Sequence, residues 1–148
     1  MPTNLLRLSE DASLALHAMA LLAAHQEKRF SNIEVAQTFG ASEHTLAKVL
    51  QRLSRVGLLV SVRGPHGGFA LGKSPSTITL LDVYEAVEGP LGPASCLLGT
   101  PACRGQACVL GGLVERIHRM VADYFAKTTL AELAARVQFE DRGQTDVV

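Results

Sequence analysis

The sequence predicts a mainly α-helical protein with one small β-hairpin, arranged as a winged helix-turn-helix followed by a long dimerisation helix. Two helices are separated by a turn of about three or four residues, which is helix-turn-helix spacing. Directly after them, apolar runs at 58–62 and 69–71 flank a tip rich in glycine and proline, the pattern of a β-hairpin. Further along, apolar residues recur at helical spacing from Leu110 to about Lys127.

The bulk composition indicates one domain with an appendage. The chain has 148 residues, of which 47% are hydrophobic and 5% aromatic, with no tryptophan, so we expect an aliphatic core. Nowhere do about 18 apolar residues run together, as a membrane-spanning helix requires. The first residues also lack the pattern of a signal peptide. We therefore expect a cytoplasmic protein with no membrane partner.

Four consecutive segments are predicted along the chain. Residues 1–75 form the winged helix-turn-helix domain, and residues 76–109 hold a short helix and a cysteine loop. Residues 110–138 form the dimerisation helix and a C-terminal helix. Residues 139–148 have no apolar period and are predicted to be a disordered tail.

The first helix is predicted from Ser9 to His25. Ser9 suits the N-cap, and Glu10 and Asp11 fall in the first turn, where the helix dipole favours acids. The apolar residues of this helix cover more than one stripe, and a helix that is apolar on most sides is buried on most sides. We expect it to serve two interfaces, one with the helix-turn-helix and one with a partner helix.

The helix-turn-helix is marked by strong capping signals. Residues 31–34, Ser-Asn-Ile-Glu, form a capping box between two residues of a hydrophobic staple. Gly40 can adopt the left-handed conformation that ends this helix. Ser42 then caps the next helix, predicted over residues 42–56, whose buried positions are Leu46, Val49, Leu50 and Leu53.

The other face of this helix, together with the hairpin tip, predicts an interface with duplex DNA. In helix-turn-helix motifs the first residues of the second helix contact base edges, whereas basic residues further along suit phosphates. An exposed polar face without a partner is the alternative for the helix alone, and the hairpin that follows argues against it. The predicted DNA-contacting residues are Ser42, His44, Thr45, Lys48, Arg52, Arg55, Arg63 and His66.

The charge distribution supports the same partner. The net charge of zero divides into +3 over residues 1–73 and −3 over residues 74–148. Residues 44–81 contain five lysine or arginine residues and no acid, so that scattered charge for solubility is the less favoured explanation. DNA phosphates respond to such a local basic field within about 10 Å at physiological salt.

Two more helices and the long one complete the chain. Capping signals at residues 79–82 and at Thr129 open short helices, of which the first ends near Glu88 before a glycine- and proline-rich break. The long helix carries an apolar seam that predicts homodimerisation, with packing inside its own core as the alternative. The seam comprises Leu110, Leu113, Val114, Ile117, Val121, Tyr124 and Phe125, and the predicted dimer contacts are Leu113, Ile117, Val121 and Tyr124.

The loop between these helices contains all three cysteines of the chain, Cys96, Cys103 and Cys108. An odd number of cysteines in a reducing compartment favours metal ligands or redox thiols over a disulfide framework. Soft thiolates select iron–sulfur clusters, zinc or Cu(I). The spacing C-x6-C-x4-C in a glycine-rich loop therefore predicts a metal or redox site.

Taken together, these motifs resemble the IscR/NsrR/CymR family of bacterial winged-helix repressors. The most specific match is the hairpin, Leu-Leu-Val-Ser-Val-Arg-Gly-Pro-His-Gly-Gly-Phe-Ala-Leu-Gly at 58–72. Arg-Leu-Ser at 7–9, Ser-Arg-Val-Gly-Leu at 54–58 and Thr-Leu-Ala-Glu-Leu at 129–133 also resemble family motifs. The resemblance extends to about Arg136.

The resemblance implies a homodimer that binds a near-palindromic operator in double-stranded DNA. By this resemblance Arg63 would enter a minor groove, while His44, Thr45 and Lys48 would read a major groove. It also implies an iron–sulfur cluster on the three cysteines, with 2Fe–2S slightly preferred over 4Fe–4S.

The resemblance does not directly identify a fourth ligand to such a cluster. Family members that regulate iron–sulfur assembly use a histidine three residues after the last cysteine, where this chain has Gly111. Members that sense nitric oxide use an acid from the first helix of the partner subunit. Ser13 occupies that position, with Glu10 and Asp11 nearby as candidates.

These observations predict a transcriptional regulator controlled by an iron–sulfur cluster that senses redox, iron or nitric oxide status. The alternatives are a cluster-free thiol, zinc or small-molecule sensor on the same fold, and a metal-binding redox protein. No glycine-rich phosphate loop, paired-carboxylate signal or nucleophile–base set is found in the sequence, so we predict no enzymatic activity.

Overall fold

The computed structural model describes residues 8–92, 110 and 112–139. Within these ranges the chain is mainly α-helical with one two-stranded antiparallel sheet, which confirms the predicted fold class. The elements are α1 (Glu10–Ala24), α2 (Asn32–Phe39), α3 (Glu43–Arg55), β1 (Leu59–Val62), β2 (Gly68–Leu71), α4 (Leu80–Glu88), α5 (Leu113–Lys127) and α6 (Leu130–Arg136). A 3-10 turn at Pro75–Thr77 precedes α4.

Helix α1 is the centre of the molecule. Nine of its fifteen residues are buried, because alanine and leucine cover most of its circumference. It packs against α3, α4 and α6 in the described part of the chain. The predicted burial on most sides of this helix is therefore confirmed, and one core joins the helix-turn-helix to α4, α5 and α6.

The helix-turn-helix consists of α2 and α3. The Ser31 hydroxyl accepts from the backbone N–H of Glu34, and the Glu34 carboxylate accepts from the backbone N–H of Ser31, which completes the predicted capping box. Gly40 ends α2 in the left-handed conformation, with φ of 63°. Leu46, Val49, Leu50 and Leu53 of α3 are fully buried, as the sequence predicted.

The wing is the hairpin of β1 and β2, with Leu59 opposite Leu71 and Val62 opposite Gly68. Its tip requires glycine at two positions. A Cβ atom on Gly67 would lie 2.1 Å from the carbonyl oxygen of Val62, and one on Gly68, whose φ is 140°, would lie 2.7 Å from the carbonyl oxygen of Phe30.

Helices α4 and α6 begin side by side. The N–H of Leu80 donates to the Thr128 carbonyl at 3.0 Å, and the N–H of Leu130 donates to the Ile78 carbonyl at 2.9 Å. Thr79 and Thr129 cap the two helices, each with a capping box. These bonds fix α6 against the start of α4, and both predicted helix starts are confirmed.

Two boundaries differ from the sequence-based prediction. The long helix begins at Leu113 rather than Leu110, because Gly112 has φ of 79° and interrupts the helical conformation. Phe139, predicted to open the tail, packs its ring 5.6 Å from that of Phe39. Residues 140–148 lie outside the described part of the chain.

Within the described part, none of the helices is long and apolar enough to cross a membrane.

Candidate nucleic-acid interface and the flanking helices

The outward face of α3 forms a polar stripe. His44, Lys48, Gln51 and Arg55 are spaced at i, i+4, i+7 and i+11, so they share one side of the helix. All four are exposed, while the opposite side is fully buried. The helix thus presents two basic and two further hydrogen-bonding side chains to solvent, as a major-groove reading helix requires.

The first turn of α3 is held in place by two polar contacts. The Ser42 hydroxyl accepts from the N–H of Thr45 at 3.3 Å, so Ser42 is the N-cap that the sequence predicted. The side-chain amide of Asn32, on α2, donates to the Glu43 carbonyl at 3.0 Å. Asn32 was not identified from the sequence as a contact between the two helices, because its partner is eleven residues away.

Glu34 stabilises the start of α2 through its charge. Its carboxylate accepts from the Ser31 N–H at 2.8 Å and lies 3.5 Å from the Lys28 ammonium. The Ser31 backbone bond, with the nearby Lys28 charge, lowers the pKa of Glu34 below its ordinary value. The carboxylate is therefore charged at neutral pH, which favours the N-terminus of the helix.

Arg63 and His66 lie on the exposed tip of the wing, Arg63 directly after β1. The wing is joined to the start of α2, because the N–H of Phe30 donates to the Phe69 carbonyl and the N–H of Phe69 donates to the Phe30 carbonyl. This isolated bridge adds the Phe30 segment to the hairpin. It fixes the position of the wing relative to the helix-turn-helix.

Arg52 occupies a different environment from the other predicted DNA contacts. Its Nη1 donates to Oδ2 of Asp11 at 3.1 Å and to the Val87 carbonyl at 3.3 Å. The guanidinium is thus directed towards α1 and α4, on the flank of α3, and not with the stripe that contains Lys48. Arg52, predicted as a phosphate contact, is thus paired within its own chain, and the sequence pattern of α3 could not reveal a partner 41 residues away.

The structure describes only some of the candidate metal ligands. Cys96, Cys103 and Cys108 lie outside the described residues, as does Gly111. Of the candidate fourth ligands, Glu10 is exposed and Asp11 is paired with Arg52. The carbonyl of Ser13 contacts Nδ1 of His17 at 2.6 Å. Among residues 8–92, 110 and 112–139, no group of three or more His, Cys, Asp or Glu side chains could hold a metal ion.

Helix α5 has two apolar faces. Phe125 is buried, and Val121 packs against the core of its own chain. Leu113, Met120 and Tyr124 face outward and are 40%, 72% and 50% exposed. Val121, a predicted dimer contact, therefore lies on the core side of the helix, and Met120, which was not among the predicted contacts, belongs to the outward face.

The N-terminal half of α5 also contacts the approach to the cysteine loop. Nε2 of His118 lies 2.5 Å from the carbonyl oxygen of Gly92, the last described residue before that loop. The contact holds Gly92 against α5.

Comparisons with known proteins agree with these features. The Rrf2 family, described as iron-dependent transcriptional regulators, matches residues 8–136. An HTH-type transcriptional regulator of Aquifex aeolicus is 33% identical over 128 residues, covering 84% of this chain and 89% of the relative. The HTH-type transcriptional regulator CymR of Bacillus subtilis is 33% identical over 111 residues, covering 75% and 76% of the two chains. The solved structure of CymR, the global cysteine regulator of B. subtilis, matches with a TM-score of 0.74 and 32% identity, covering 90% of this chain and all of that one.

Proposed function

Because the chain belongs to the Rrf2 family of transcriptional regulators, we propose that it binds operator DNA as a homodimer under the control of its cysteine loop. Family membership assigns a DNA-binding regulator and not an enzyme. The proposal goes beyond family membership in three respects: the residues that contact DNA, the dimer interface and the group held by the cysteines. Each of the three is supported by separate observations.

The main support for the proposal is that the exposed polar stripe of α3 and the wing belong to the same unit of the fold. His44 and Lys48 lie in the first half of α3 and suit hydrogen bonds to base edges, with Ser42 and Thr45 at the helix start. Arg55 lies in the last turn and suits a phosphate. Arg63 and His66, at the tip of a wing fixed to the same unit, suit the adjacent groove.

The homodimer is supported by the outward face of α5. Leu113, Ile117, Met120 and Tyr124 of α5 follow spacings of four, three and four residues, the heptad pattern of a helix that pairs with another. Met120 and Tyr124 are large apolar groups left in contact with water in the single chain. Pairing of two copies through this face would bury them and would place two α3 helices for the two half-sites of a near-palindromic operator.

The three cysteines suit an iron–sulfur cluster. Their thiolates are soft donors, which fits such a cluster, and the family description as iron-dependent agrees with it. When bound, a cluster supplies a redox-active group whose loss or oxidation serves as a signal. Cys96, Cys103 and Cys108 would hold it. We prefer a 2Fe–2S cluster over 4Fe–4S. Of the two acids in the first turn of α1, Glu10 is the better candidate for a fourth ligand, because Asp11 is paired with Arg52.

A second candidate is a cluster-free thiol sensor. It is favoured by the 33% identity to CymR, whose solved structure is described as that of a cysteine regulator. In this case the cysteines would respond by oxidation or by binding of a small molecule, while the DNA interface would be unchanged.

Anaerobic purification decides between the two candidates. If a cluster is bound, the protein is coloured, contains iron and sulfide, and loses both when any one of the three cysteines is replaced by alanine. A colourless protein without iron, or equal iron in wild type and all three variants, would contradict the cluster site. Selection of bound duplexes from a random library then tests the operator, for which a near-palindromic sequence is expected.

A further inference from the structure

The guanidinium of Arg52 connects three helices. Arg52 lies in the last turn of α3, and it donates to Asp11 in the first turn of α1 and to the carbonyl of Val87 in the last turn of α4. The two partners are separated from Arg52 by 41 and 35 positions in the sequence, so the contact is a purely tertiary one. We call this group the Arg52 clasp.

A second contact joins the same two helix ends. The hydroxyl of Ser9 caps α1 by accepting from the N–H of Ala12 at 3.0 Å, and it donates to the carboxylate of Glu88. Glu88 is the last residue of α4. The start of α1 and the end of α4 are thus held together at two places, and Arg52 links the recognition helix to both.

We propose that Arg52 and Asp11 are positioning residues of the DNA interface, and that Arg52 does not bind a phosphate. The clasp sets the orientation of α3 against α1 and α4, and with it the direction in which His44 and Lys48 approach base edges. The inference rests on the proposed DNA interface, because it concerns how that interface is held.

The partial exposure of the clasp limits its energetic effect. The side chains of Arg52 and Asp11 are 45% and 36% exposed, and ion pairs of this kind contribute little to stability on their own. Loss of the clasp should therefore leave the fold intact. A misplaced recognition helix would lower affinity for a specific operator, by about two- to fivefold, on the scale of such exposed pairs.

Salt dependence separates a positioning residue from a phosphate contact. Each neutralised phosphate contributes about 0.9 to the slope of log affinity against log salt concentration. A phosphate-binding Arg52 would lose this contribution on replacement by glutamine. A positioning Arg52 would lose affinity with an unchanged slope, because the number of neutralised phosphates stays the same.

Replacement of Asp11 provides a second test that distinguishes a positioning Arg52 from a phosphate-binding one. If Arg52 bound a phosphate, Asp11→Ala would free the guanidinium and remove a negative charge, so DNA affinity would stay constant or increase. If the clasp positions α3, Asp11→Ala lowers affinity as Arg52→Gln does. The double variant should then be no weaker than either single variant, because both changes break one contact.

The experiment is a fluorescence anisotropy titration of full-length wild type, Asp11→Ala, Arg52→Gln and the double variant on the selected operator at several salt concentrations. We expect a two- to fivefold loss in all three variants with parallel salt slopes, while circular dichroism shows unchanged helix content. A slope lowered by about 0.9 in Arg52→Gln, or wild-type affinity in Asp11→Ala, would overturn the inference.

Lys48→Ala and Arg63→Ala serve as controls for the interface itself. If both controls bind like wild type, the proposed DNA interface is misplaced, whatever the clasp variants do. If the controls weaken binding while Asp11→Ala does not, only the clasp inference fails.

Discussion

The backbones of Phe30 and Phe69 pair through two hydrogen bonds, with N–O distances of 3.2 and 2.7 Å. The pairing attaches the wing to the segment that leads into α2. It depends on Gly68, whose backbone has φ of 140° and whose missing side chain leaves room for the Phe30 carbonyl. The wing is thereby attached to the helix-turn-helix, as the proposed contacts to two adjacent grooves would require.

Gly68→Ala should destabilise this unit. The added Cβ would lie 2.7 Å from the Phe30 carbonyl oxygen in a backbone conformation that L-residues rarely adopt, so we expect a loss of about 1–3 kcal/mol in the free energy of unfolding. Urea denaturation followed by circular dichroism measures it. Gly64→Ala is the matched control, because Gly64 also has positive φ but no atom lies within 4 Å of the position that its added Cβ would occupy. An equal loss in both variants would show that the Phe30 contact is unimportant.

The capping box of α2 should make stability depend on pH. The pKa of Glu34 is lowered in the folded protein from its ordinary value of 4.5, so its stabilising effect is present above that value. It is lost as the pH falls through the lowered folded pKa. Wild type should exceed Glu34→Gln in stability by less than about 1 kcal/mol at pH 7, and the difference should vanish in strong acid.

Ser31→Ala provides the comparison for this effect. It removes the hydroxyl that accepts from the Glu34 N–H, at a cost of about 1 kcal/mol, largely independent of pH. Denaturation curves at neutral and acid pH measure both variants. A Glu34→Gln difference that persists in strong acid would contradict the assignment to the carboxylate charge.

Met120→Glu should disrupt the proposed dimer without unfolding the subunit. Met120 is 72% exposed in the single chain, so glutamate is tolerated there, whereas in a dimer it would place two charges in an apolar seam. We expect the mass measured by light scattering to halve. Arg119→Glu is the control, because Arg119 is exposed beside Met120 and bonds to Glu115 on its own helix. A dimer that persists in Met120→Glu would exclude this face of α5.

Local signals in the sequence predicted the helix starts well. Capping residues such as Ser31, Thr79 and Thr129 act over three or four positions, and the structure places all three as N-caps. The hairpin itself was predicted in the same way, from its apolar runs and its glycine-rich tip.

Features that depend on distant partners were less accessible from the sequence. Helical spacing identified Arg52 as an exposed base, but only the packing of α1 and α4 against α3 shows that Asp11 is its partner. Similarly, one apolar seam was predicted on the long helix. In α5 its members are divided between the core, where Val121 packs, and the outward face, where Tyr124 lies beside Met120, which was not in the predicted seam. The cysteine loop stays a prediction, because its residues lie outside the described part.

The central claim is that the α3 stripe and the wing bind duplex DNA. An anisotropy titration of wild type, Lys48→Ala and Arg63→Ala on the selected operator and a scrambled duplex, at two salt concentrations, tests it most directly. We predict that Arg63→Ala costs roughly 1–3 kcal/mol, mainly on sites with narrow A·T-rich minor grooves, and that Lys48→Ala reduces the preference for operator over scrambled DNA. Wild-type binding of both duplexes by both variants would contradict the claim.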